Sequence, residues 1–123
     1  MTNAVKHFKY EHRGKRRLHK RPNSYEIERC KWWLDLERAF VKPDVTVIVG
    51  ASAARSVLGK FGTISSARSR PIATDHGQAL VTLHPSALLR IRDEAERHRA
   101  YREFVDALRK APKLLHSLDR NRK

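Results

Sequence analysis

The apolar positions change their spacing several times along the chain, and each change predicts an element. Ile27, Cys30 and Leu34 recur at helical intervals, with Phe40 extending the row. Asn23 precedes them and Glu26 follows three residues later, the pattern of a capping box, so a helix is predicted over 24–40. Val45-Thr46-Val47-Ile48-Val49 is a short β-branched run, suited to a strand covered on both faces. Gly50-Ala51-Ser52-Ala53-Ala54 reads as a tight strand-to-helix turn leading into a helix to about residue 58. Ala79 to Leu83 is a second apolar run and ends at His84-Pro85-Ser86. Asp93 with Glu96 caps a last helix, whose Tyr101, Phe104, Val105 and Leu108 fall at helical spacing, and Pro112 is predicted to stop it near residue 111.

The remaining stretches carry weaker signals. Thr2 to Phe8 is predicted as a short strand, although few domains begin a strand at residue 2. Residues 9–22 are polar and basic, bounded by Gly14 and Pro22, and are predicted as a loop, as are residues 59–70. Strands alternating with helices give an α/β fold with a mainly parallel sheet. Ligands of such sheets lie beyond the carboxyl ends of the strands, which here means residues 7–21, the Gly50 turn and His84 to Arg90.

Charge narrows the partner. Lys and Arg number 27 against 13 Asp and Glu in 123 residues, a formal net charge of +14. Such an excess points to a polyanion, first of all nucleic acid. A membrane surface ranks second, since no stretch approaches the ~18 apolar residues of a spanning helix. Eight of the first twenty-one residues are Lys or Arg and only Glu11 opposes them. A second basic group is Arg68, Arg70, Arg90 and Arg92, and the tail after Pro112 is basic and expected to fray. One cysteine excludes an internal disulfide framework, and Met1 to Lys6 has no apolar signal core. Both fit a cytoplasmic protein.

Three segments in order carry a family resemblance: Thr2-Asn3-Ala4-Val5-Lys6-His7, Lys15-Arg16-Arg17-Leu18-His19, and His84-Pro85-Ser86-Ala87-Leu88-Leu89-Arg90. Glu28-Arg29-Cys30 and Val49-Gly50-Ala51-Ser52-Ala53-Ala54 fall between them in matching order. The set resembles family 4 uracil-DNA glycosylases, and more closely the UdgX branch, over about residues 2–110. The resemblance implies a parallel-sheet glycosylase fold and excision of uracil from DNA in base-excision repair.

It also implies roles. Asn3 would read the Watson–Crick edge of the flipped uracil; on residues alone it is an ordinary strand-end Asn. His84 would hydrogen-bond the uracil O2 and stabilise the leaving anion; otherwise it is a structural histidine before a turn proline. His19 would attack C1′ and leave the protein attached to the abasic sugar, as a neutral imidazole can; without the resemblance it is an incidental member of a solvated basic patch. The implied DNA contacts are Lys15, Arg16, Arg17, Ser52, Ser86 and Arg90, with Ser52 at a helix N-terminus. Arg90, or Leu88 and Leu89, would fill the gap left by the flipped base; the leucine pair suits a core equally well. Cys30 and His7 match ligand positions of the family's 4Fe-4S cluster, yet a cluster needs four ligands, and Cys30 suits the core face of its helix.

Two family features are absent from these residues: a Cys-x-x-Cys pair and a Gly-Glu-Gln-Pro-Gly-like loop. The family's first strand would lie between Thr2–Phe8 and Val45–Val49. The expectation is therefore a partial glycosylase domain over 1–111 with a basic tail over 112–123, poorly folded alone or completed by an upstream piece. The rival readings are a non-enzymatic basic nucleic-acid-binding module and an inactive glycosylase remnant.

Overall fold

A computed structural model describes residues 1–6, 10–59 and 70–122. In chain order its elements are β1 (Tyr10–Arg13), β2 (Arg16–His19), α1 (Ser24–Val41), β3 (Val45–Val49), α2 (Ala51–Leu58), β4 (Ile72–Thr74), β5 (Gly77–Thr82), α3 (Pro85–Arg90) and α4 (Glu94–Arg122). The architecture is mixed α/β around a small sheet of order β3-β5-β4, in which β3 and β5 run parallel and β4 runs antiparallel to β5.

The apolar runs do what their composition dictates. Ile48 from β3, Ala79 and Val81 from β5 and Ala54 from α2 form the buried cluster, with Ala53, Val57, Leu58 and Ile72 packed around it. Leu80 is equally buried, and α4 contributes the buried Ala107. Helix α1 begins as predicted, with Asn23 accepting from the Glu26 amide at 2.9 Å and the Glu26 carboxylate accepting from the Asn23 amide at 2.9 Å. Its inward face is Ile27, Cys30, Leu34 and Arg38, whereas Phe40 lies off that row and is exposed.

Arg38 pins three elements. Its guanidinium donates to Thr74 Oγ1 at 3.0 Å, and that hydroxyl donates to the Gly77 carbonyl at 2.7 Å. Burial holds the Arg38 guanidinium below its ordinary pKa, opposed by the charges of Asp35 and Asp75. Gly77 has φ of +97°, and a Cβ there would stand 2.6 Å from the Pro43 carbonyl oxygen. The start of β5 thus passes against the α1–β3 connection, where the Gln78 amide donates to the Asp44 carbonyl at 3.0 Å.

Three sequence expectations need correction, and one strand was not predicted. Residues 2–6 contain no strand; His7 and Phe8 lie outside the described residues. Residues 10–19 form a hairpin instead of a loop, with Arg13 paired to Arg16 across a turn of Gly14 and Lys15. Gly14 has φ of +61°, as the first central residue of a two-residue hairpin turn of the II′ kind requires. The hairpin escaped notice because β1 is exposed at all four positions, so no apolar alternation marks it. Strand β4 is three residues long and gave no periodic signal. Finally, α4 continues through Pro112 to Arg122. The ring forfeits one backbone bond. Beyond the proline the helix keeps Leu114 and Leu118 half-buried, and an ion pair of Arg122 with Asp44 ties its end to the start of β3. The predicted loop 59–70 lies outside the described residues from 60 to 69.

Candidate functional site

The parallel strands β3 and β5 end side by side, and their ends build a cradle. Gly50 follows β3 and His84 lies two residues beyond β5. The Gly50 amide donates to the Thr82 carbonyl at 3.0 Å, closing the turn onto the neighbouring strand. Gly50 has φ of +92°, and a Cβ there would sit 3.1 Å from His84 Cβ. Glycine is needed twice over: for the backbone angle and for the approach of the histidine. Helix α2 starts at Ala51, with Ser52 half-buried in its first turn.

His84 caps α3, with Pro85 at the first helical position. Its Nδ1 accepts from the Ser86 amide at 3.1 Å and lies 2.8 Å from Ser86 Oγ. A backbone N–H can only donate. The nitrogen facing it therefore carries a lone pair, and in the neutral ring the proton sits on Nε2. Ser86 Oγ lies within hydrogen-bond distance of the same nitrogen. The ring is exposed, so in that neutral form the cradle presents an N–H donor whose tautomer is set by the chain beside it.

The segment after His84 divides its two leucines. Leu88 is 7% exposed and belongs to the core, whereas Leu89 is 82% exposed and Arg90 is exposed beside it.

The Lys-Arg-Arg-Leu-His segment lies on the β1–β2 ribbon. Lys15 is in the turn, and both Lys15 and Arg16 are exposed. The register sets His19 opposite Tyr10, Arg17 opposite His12 and Arg16 opposite Arg13. Arg16 is the last partner in that register, opposite Arg13 at the turn. Tyr10 and His12 meet edge to face with ring centroids 5.1 Å apart. This aromatic pair was not anticipated, since its spacing carries meaning only once the hairpin is known. None of the described hydrogen bonds joins the ribbon to the Gly50–His84 cradle.

Asn3 is exposed and is held indirectly. Its neighbour Thr2 donates to Glu37 at 2.5 Å, and Lys6 pairs with the same carboxylate at 2.6 Å. These two contacts, Lys6 first and Thr2 second, hold the Glu37 carboxyl below its ordinary 4.5. They fasten residues 2–6 to α1, and no described hydrogen bond brings Asn3 to His84.

The residues present do not fit an iron–sulfur cluster. Cys30 is buried between Ile27 and Leu34 on the inward face of α1, His7 lies outside the described residues, and no three His, Cys, Asp or Glu among the described residues gather as metal ligands. No helix among the described residues is long and apolar enough to cross a membrane.

The family model for the uracil DNA glycosylase superfamily matches residues 1–109. No curated protein matches the sequence.

Proposed function

This chain belongs to the uracil DNA glycosylase superfamily, and on that premise we propose that it excises uracil from DNA in the manner of the UdgX branch. The observation that carries the reading is His84, a donor of fixed tautomer at the ends of the two parallel strands. As the C1′–N1 bond breaks, its electron pair passes to the base, and negative charge gathers on the uracil oxygens. The His84 Nε2–H would meet O2 there without changing its own protonation state. Asn3 would select uracil, its amide matching the O4 acceptor and the N3–H donor.

His19 would then offer an imidazole lone pair to C1′ of the oxocarbenium-like sugar, forming a C1′–N bond and releasing its ring proton to solvent. Lys15, Arg16, Arg17, Ser52, Ser86 and Arg90 would hold the phosphates. Bringing the ribbon onto the cradle is assigned to the DNA itself, because β1 and the turn through Arg16 are exposed and the segment is strongly cationic. The same exposure favours a second reading, a basic nucleic-acid-binding module without chemistry.

The test mixes the chain with a single-stranded oligonucleotide bearing one uracil, with a thymine control and a His19→Ala variant. A uracil-dependent band that survives denaturing electrophoresis, absent with His19→Ala, supports excision with capture. An abasic site without such a band supports excision with turnover. Binding without either product supports the non-enzymatic module.

A further inference from the structure

Helix α4 carries a cationic row that the glycosylase reading leaves unused. At about 100° per residue, Arg109, Lys113 and Arg120 fall within about 20° of the line through Arg102. All four are exposed, and none has a hydrogen bond or ion pair among the described residues. The row runs about 27 Å along the helix. The opposite side holds the buried Ala107 and the half-buried Phe104, Ala111, Leu114 and Leu118, so the helix packs on the domain through one face and shows its cations on the other. Asp106 is the one carboxylate within about 45° of the row, and it makes no ion pair. Lys113 and Arg120 lie beyond the family match, which ends at residue 109.

We propose that this row is a second nucleic-acid surface, binding the phosphate backbone without regard to sequence or to uracil. Charge complementarity decides the occupant. A duplex presents ~16 phosphates over 27 Å, so four cations at these spacings find partners in any register. An anionic lipid surface fits less well, because helices that lie on membranes insert a broad apolar face; here most of that side is packed on the domain, and the exposed Tyr101, Leu108 and Leu115 form a narrow strip about 100–140° from the cations. The inference stands apart from excision, since it needs neither His19 nor His84.

The experiment measures binding of the full chain to a uracil-free duplex by fluorescence anisotropy over a range of salt. Replacing Arg102, Arg109, Lys113 and Arg120 with Gln is expected to lower the salt slope by about 3–4 and to weaken binding at ~0.1 M salt by at least about 100-fold. A variant with Arg102, Arg109 and Arg120 changed to Lys keeps the charge and is expected to bind within about threefold of the parent. A control neutralises Arg29, Lys31, Lys42 and Arg97, removing the same charge elsewhere. Equal loss in the control, an unchanged slope in the Gln variant, or loss of binding to anionic phospholipid vesicles with duplex binding intact would overturn the proposal.

Discussion

The cradle and the ribbon are built on opposite terms. At the cradle, Gly50 and His84 are set by buried strands, a backbone bond to Thr82 and an amide pointing at the histidine ring. On the ribbon, β1 is exposed at every residue and, among the described residues, pairs with β2 alone. One region is held by buried backbone contacts; the other carries charge on an exposed strand. Preorganised donors suit the step in which charge develops, while exposed cations suit capture of a polyanion.

The largest effect should come from the preorganised side. His84→Ala removes the donor at the leaving base and is expected to slow single-turnover excision about 10²–10³-fold. Affinity for a uracil-free oligonucleotide should stay within about threefold, and a parallel loss of binding would mean that His84 serves DNA contact. Next comes a matched pair of glycine substitutions. Gly50→Ala forces a side chain onto an angle of +92° and against His84 Cβ, so a loss of about 1–3 kcal/mol in stability and about tenfold in excision is expected. Gly14→Ala meets nothing within 4 Å, so only the turn angle is strained. There the Tm should move little while DNA affinity falls about threefold to tenfold. Equal Tm losses in the pair would erase the distinction between the regions. Ser86→Ala keeps the amide that fixes the His84 tautomer, and excision should change no more than about threefold at saturating DNA.

The smallest effect concerns the segment bearing Asn3. The folded Glu37 carboxyl titrates below its unfolded value, so its contribution is fully present above about 4.5 and is lost as pH falls through the folded value. Resonances of residues 2–6 should therefore shift toward unanchored values only in the acid range below 4.5. Glu37→Gln should produce the same shifts at neutral pH. Shifts centred near neutrality would point to a different anchor.

What the sequence made legible follows the same division. The capping box at Asn23, the run Val45–Val49, the Gly50 turn and the end of β5 at His84 were readable because burial imposes apolar periodicity and turns impose glycine. The ribbon was not, because polar residues on both faces leave no period-two pattern. The end of α4 is not legible because Pro112 is a local stop signal, while the contacts beyond it, such as the Arg122–Asp44 ion pair, join residues far apart in the chain. At the site, the residue types of His84 and Ser86 were visible in the sequence. The amide that selects the histidine's tautomer and the division of Leu88 from Leu89 belong to the geometry of α3.

The most direct measurement is the protonation pattern of the His84 ring, read from long-range proton–nitrogen correlations in the free chain at neutral pH. The expected result is hydrogen on Nε2 and a bare, hydrogen-bonded Nδ1, retained when a uracil-containing oligonucleotide binds. Hydrogen on Nδ1 with a bare Nε2 would contradict the account, because the cradle would then offer the leaving base a lone pair where it needs a donor.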